Sequence, residues 1–277
     1  MKLRVITAVV GIPLLLALVY FDFRVDTSWF SRVPLLILLV GAAAALGAVE
    51  FYRLGTHAGA RPLTVFGVIW AFLFVVAALF DVDWGTGALL ASAAVLPLVW
   101  LVVFRRDTRF QSWVWTLTGI LYLGWTLGHY VALRQLDHGR ELVILAVFAT
   151  FACDTSAFFV GRAWGRHHMA PAISPHKTWE GAIGGFVGAV AAALALRSLL
   201  SLGDWSLPLN YVEAIGVGCL IGVVAQLGDL LESLLKRRAG VKDSGNLIPG
   251  HGGVLDRIDS LVFTGFIVYY FVLWVVD

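Results

Sequence analysis

Charge is scarce in this sequence. Only 14% of its 277 residues are Asp, Glu, Lys or Arg, against about a quarter in an average soluble domain. Hydrophobic residues fill 60% of it instead. One water-surrounded core cannot enclose that much apolar surface, whereas a bilayer accepts it from outside. Cysteine is nearly missing as well. Cys153 and Cys219 stand alone in separate apolar runs, which excludes a CxxC zinc or redox site and a disulfide framework. Each reads as a small packed hydrophobe. There is no GxxxxGK[ST] and no GxGxxG behind a strand, so the familiar soluble nucleotide folds have no support. No tandem repeat, low-complexity tract or soluble domain is visible, and nothing points to a nucleic-acid partner.

What is present is a series of apolar runs. A span needs about 20 mostly apolar residues, and candidates lie near 5–21, 33–52, 63–80, 87–104, 112–133, 141–161, 180–200, 211–235 and 256–276. The first has the basic start and apolar core of a secretory signal, but Phe21-Asp22-Phe23-Arg24 follows where a cleavage site would be. It is read as a helix that stays. With nine spans, fifteen Lys and Arg residues fall on the side of the N-terminus and five on the other. Positive residues mark the cytoplasmic face. The expected fold is therefore an all-α polytopic membrane protein with about nine transmembrane helices and a cytoplasmic N-terminus. Residues 1–110 would form a scaffold of about four helices. Residues 111–277 would form a catalytic region of about five, with cytoplasmic loops 162–179 and 236–255.

Within these runs a few charges are out of place. Asp154 lies in FATFACDTSAFFVG, and Asp229 and Glu232 lie in VVAQLGDLLESLLKRR. A carboxylate at mid-bilayer costs at least about 2.5 kcal/mol, so such residues face a cavity or a partner. Asp229, Glu232, Ser233 and Lys236 sit at i, i+3, i+4 and i+7, one stripe of a helix. That stripe suggests a wet groove opening toward the cytoplasm. Beyond it come Lys242-Asp243-Ser244-Gly245, then Pro249-Gly250-His251-Gly252-Gly253, then Asp256-Arg257-Ile258-Asp259. Glycine turns can aim backbone N–H groups at a phosphate. Asp256 and Asp259, one turn apart at the start of the ninth span, offer the oxygen ligands that Mg²⁺ prefers. In the other loop, Ser174 or Thr178 is placed to cap the next helix. Lys177 beside that helix start suits an anion. Basic groups, metal-capable carboxylates and glycine turns at one membrane face fit phosphoryl or nucleotidyl transfer, which needs charge neutralisation and alignment more than covalent help.

The 27 residues from Ser233 to Asp259 match S-x-x-K-R-x4-K-D followed by H-G-G-x-x-D-R-x-D at every fixed position. This resembles the signature of the phosphatidate cytidylyltransferases, or CDP-diacylglycerol synthases. Gly228-Asp229-Leu230, the Asp154 segment with Gly161-Arg162, and Ser174-Pro175-His176-Lys177-Thr178-Trp179-Glu180-Gly181 resemble that family too. The N-terminal half matches it only as a hydrophobic scaffold. The resemblance implies that CTP and phosphatidate react to give CDP-diacylglycerol and pyrophosphate. It implies metal positions at Asp229 and Asp256, with Asp154 a further candidate, for Mg²⁺ with K⁺ as a second cation. Lys236, Lys242, Arg257 and Asp259 would be catalytic. Ser174, Lys177, Thr178, Ser233, Arg237, His251, Gly252 and Gly253 would bind substrate. His176 is a departure, at a position where a second lysine or another residue is common. The resemblance also implies a homodimer of nine-span subunits, placed in a bacterial inner membrane with the site facing the cytoplasm. A transporter or flippase for an anionic lipid is the alternative, although no internal repeat supports it. The D-G-x2-A-R-x8-G-x3-D-x3-D pattern of CDP-alcohol phosphotransferases is absent. A non-enzymatic membrane scaffold is a third reading, against which stands the cost of so many intramembrane charges.

Overall fold

Apolar runs that must satisfy their own backbone in lipid become helices, and the computed structural model is dominated by them. It describes residues 16, 17, 19–24, 32–80, 83–104, 110–201, 206–245, 247 and 252–276. The described helices are α1 (Leu36–His57), α2 (Thr64–Ala77), α3 (Asp83–Phe104), α4 (Phe110–Gly119), α5 (Thr126–Gln135), α6 (Gly139–Trp164), α7 (Trp179–Leu200), α8 (Tyr211–Arg238), the single turn α9 (Leu255–Ile258) and α10 (Thr264–Phe271). A π-helical stretch, Ile120–Trp125, joins α4 to α5, and another, Val272–Val276, extends α10.

Five of the helices are long and apolar enough to cross a membrane: Leu36–His57, Gly85–Phe104, Gly139–Trp164, Trp179–Leu200 and Tyr211–Arg238. Thr64–Ala77 and Thr264–Val276 are shorter apolar helices. The first expected span, 5–21, falls largely outside the described residues. The expected ninth span is not one helix from Asp256. It is the turn α9, a break at 259–263, and then α10. Local side-chain bonds compete with helix there: Ser260 N–H donates to Asp259 Oδ1 at 2.8 Å, and Thr264 Oγ1 donates to the Leu261 carbonyl at 3.1 Å. Two short hairpins also occur. β1 (Asp22–Arg24) pairs with β2 (Arg32–Pro34) and β3 (His168–Ala170) with β4 (Ser174–Thr178), both antiparallel.

The chain divides into two compact units, Met1–Ala132 with Leu235–Ile258, and Leu133–Leu234 with Asp259–Asp277. The first centres on fully buried aromatic side chains. Tyr52 donates its hydroxyl to the Thr116 carbonyl at 2.9 Å, and a side chain at Gly67 or Gly119 would collide with its ring. The second is built on a close seam between α6 and α7. A Cβ added at Gly181 would meet the Ala157 carbonyl oxygen at 2.9 Å and the Gly161 Cα at 3.1 Å. One added at Gly185 would meet the Cys153 carbonyl oxygen at 3.0 Å. Lipid tails are as apolar as leucine, so membrane helices gain most from packing this tight.

Candidate active site

In the first unit the site grows from the end of α8. Gly240, at φ 70°, stops the helix. Its N–H reaches the Arg237 carbonyl at 3.1 Å, and Val241 N–H reaches back to Lys236 at 3.0 Å. This is a Schellman closure, and the positive φ is why glycine stands there. The chain then turns through 242–244 and brings Ser244 onto Asp256 at the second residue of α9. Asp256 is well held. Its Oδ1 accepts from Lys236 Nζ at 2.6 Å. Its Oδ2 accepts from Ser244 N–H at 3.0 Å, Ser244 Oγ at 2.9 Å and Gly253 N–H at 2.8 Å. Gly252, at φ 83°, turns the backbone that presents the Gly253 N–H. The Asp256 side chain is only 8% exposed and that of Lys236 14%. Charge-assisted bonds of this kind are roughly twice as strong as neutral ones.

A further residue joins this group that the resemblance did not mark. Glu50 of α1 is fully buried, and its Oε2 accepts from Ser244 Oγ at 3.1 Å and from Leu255 N–H at 2.8 Å. Arg53, Leu54 and His57, further along α1, line a cavity of about 420 Å³ with Val241, Asp243, Ser244, Gly245 and Leu247.

In the second unit the β3–β4 hairpin fixes the loop 162–179. Glu180 anchors it by accepting the N–H groups of Arg166 at 3.1 Å and His167 at 3.2 Å. Thr178 caps α7, accepting from Gly181 N–H at 3.2 Å, as its position in the sequence leads one to expect. The hairpin delivers Lys177, whose Nζ pairs with Asp229 Oδ2 at 2.9 Å. In the same unit Ser260 Oγ donates to Asp154 Oδ1 at 3.2 Å.

Four of the expected residues form two lysine–aspartate pairs, Lys236–Asp256 in the first unit and Lys177–Asp229 in the second. The stripe of Asp229, Glu232, Ser233 and Lys236 does lie on one continuous helix. Glu232 is fully enclosed, however, and does not face an open groove. Arg237, Lys242 and Arg257 are exposed. Gly253 N–H points at Asp256, and the Asp259 carboxylate is taken up by Ser260 N–H. Ser174 lies in β4, opposite Ala170. His251 lies outside the described residues.

No group of three or more His, Cys, Asp or Glu side chains is gathered among the described residues. Mg²⁺ needs no such cage, because one or two carboxylates and substrate phosphates suffice. Asp229 and Asp256 fit that demand: each already holds one cationic group, an ammonium, at 2.9 and 2.6 Å.

A protein-family model described as the cytidylyltransferase family matches residues 2–275. The chain belongs to this family. It is 38% identical over 235 residues to the phosphatidate cytidylyltransferase of Brucella abortus, covering 82% of this chain and 81% of that protein. It is 33% identical over 271 residues to the phosphatidate cytidylyltransferase of Bacillus subtilis, covering 95% and 94%. It is 34% identical over 269 residues to the chloroplastic phosphatidate cytidylyltransferase 5 of Arabidopsis thaliana, covering 84% and 64%. Family membership makes the chain a nucleotidyl-transferring enzyme, and nothing supports the transporter reading. Because the match extends almost from end to end, the N-terminal half belongs to the family pattern as well, and Glu50 falls inside it. The signal that could have found Glu50 was a single carboxylate in the apolar run AAAALGAVEFY.

Proposed function

We propose that this chain is a phosphatidate cytidylyltransferase: it transfers CMP from CTP to phosphatidate, releasing pyrophosphate, and so makes CDP-diacylglycerol for phospholipid synthesis. A phosphate oxygen of phosphatidate attacks the α-phosphorus of CTP. The bond from that phosphorus to the β-bridging oxygen breaks, and pyrophosphate leaves with its electron pair. The nucleophile is already anionic near neutral pH, so no strong general base is needed. The work left to the protein is to bring two polyanions together and to neutralise charge.

The observation that carries this reading, beside the family match, is the Lys236–Asp256 pair held by Ser244 and Gly253. An ammonium from the last turn of α8 meets a carboxylate from α9. Lys236, with Arg257, Lys242 and Arg237 nearby in sequence, supplies positive charge to the phosphates. Lys177 supplies it from the hairpin loop, beside the helix start capped by Thr178. Asp229 and Asp256 would hold Mg²⁺, with K⁺ as a second cation and Asp154 as a further carboxylate. When bound, the metal would offset charge on phosphate oxygens and on the departing pyrophosphate. The Gly252–Gly253 turn shapes the surroundings of Asp256, and Asp259 is a further catalytic carboxylate. Ser174 and Ser233 offer hydroxyl groups to substrate, and His251 offers a ring N–H.

The distribution of Lys and Arg, fifteen against five, supports a cytoplasmic N-terminus and a site facing the cytoplasm. The relatives in bacteria support an inner-membrane location. The family resemblance supports nine spans and a homodimer. Pyrophosphate release by purified protein in lipid, with phosphatidate and each of CTP, ATP, GTP and UTP, with and without Mg²⁺, tests the reaction. Release that depends on phosphatidate, CTP and Mg²⁺ together is expected. Equal release with every nucleotide, or none with CTP, would refute it.

A further inference from the structure

The Asp256 loop is not held by its own residues alone. It closes on Glu50, a fully buried carboxylate from a helix far away in sequence. The Ser244 hydroxyl lies 3.1 Å from Glu50 Oε2 and 2.9 Å from Asp256 Oδ2. It has one proton, so the two carboxylates share a single donor. The second donor to Glu50 is the N–H of Leu255, immediately before Asp256. The loop is shaped around this side chain: a Cβ on either Gly245 or Gly253 would collide with the Glu50 carboxylate. The other oxygen, Oε1, is enclosed and has no hydrogen-bond partner among the described residues. A buried polar atom left without a bond is costly. Both bonds that Glu50 makes go to the segment that carries Asp256, so the carboxylate is spent on placing that segment.

We propose that Glu50 is a positioning residue for the transfer reaction, fixing Asp256 through Ser244 Oγ and Leu255 N–H. It touches neither substrate nor the reacting atoms. This rests on the reading of Asp256 as an active-site group, and the two can be tested apart.

The test uses the full-length protein in detergent–lipid micelles, with kcat and the KM for CTP measured from pyrophosphate release and the unfolding midpoint measured in parallel. Glu50→Met removes both acceptor oxygens at similar volume. It should lower kcat about 10- to 100-fold, the penalty of a small misplacement, while leaving the KM for CTP within about threefold. Glu50→Gln keeps one acceptor oxygen able to take both bonds, and should restore kcat to within about threefold of the parent. Combined with Asp256→Asn, Glu50→Met should cost almost nothing more, because residues that act through one another are not additive. If Asp256→Asn itself keeps the parent rate, the reading of the site fails and the inference goes with it. If Asp256→Asn is slow but Glu50→Met keeps the parent kcat, or their losses multiply, the inference alone is overturned. Should Glu50→Met not accumulate folded, Ser244→Ala carries the same test: a parent kcat there also overturns it.

Discussion

The two lysine–aspartate pairs use the same side chains in different settings. Asp256 is 8% exposed and its second oxygen is filled by two backbone N–H groups and a hydroxyl. Asp229 is 36% exposed, and it forms an ion pair with Lys177 of strand β4. The first carboxylate is set in place by the backbone before any ligand arrives. The second depends on a long, flexible lysine. Electrostatic groups fixed in advance contribute most to rate, because nothing has to reorganise during the reaction. Part-exposed ion pairs contribute little to folding. The difference is between a fixed carboxylate in the first unit and an adjustable ion pair in the second.

Replacing the two carboxylates should break the comparison most sharply. Asp256→Asn and Asp229→Asn are each expected to lower kcat about 10²- to 10³-fold, but only Asp256→Asn should also lower the unfolding midpoint in detergent. Equal effects on that midpoint would show that the two pairs are built alike. The next largest effect tests the fixed carboxylate alone. Gly253→Ala forces a methyl group into Glu50 and Ser244, and overpacking of this kind costs about 1–3 kcal/mol. A denaturation series should show that loss; unchanged stability would mean that the loop moves freely. Thr178→Ala removes the cap of α7 and should cost about 1 kcal/mol, checked by the same denaturation series. Lys177→Gln should be gentlest on folding, below about 1 kcal/mol, yet should raise the KM for CTP or phosphatidate.

Much of this was legible from residue order. Long apolar runs announced helices because lipid leaves the backbone no other option, and α1, α3, α6, α7 and α8 lie where the runs do. Thr178 was readable as a cap because that chemistry is local. Lys236 and Asp256 stand out in the sequence as candidates, but their bond to each other, across twenty residues, does not. The β3–β4 hairpin carried no alternating apolar pattern to reveal it. The break at 259–263 was hidden because nothing in the order of residues shows that the Asp259 and Thr264 side chains bond to nearby backbone. Glu50 was missed for a different reason. The rule that singled out Asp154 and Asp229, a carboxylate in an apolar run, applies equally to Glu50. Its partners, however, are 194 and 205 residues away, and no periodicity reports such a distance.

The seam between α6 and α7 bears on how far that helix pair can open. Where glycine lets Gly181 and Gly185 rest against the backbone of Gly161, Ala157 and Cys153, no cleft remains for a methylene chain to slide through. Bulkier residues at Gly181 or Gly185 would therefore prise the two helices apart.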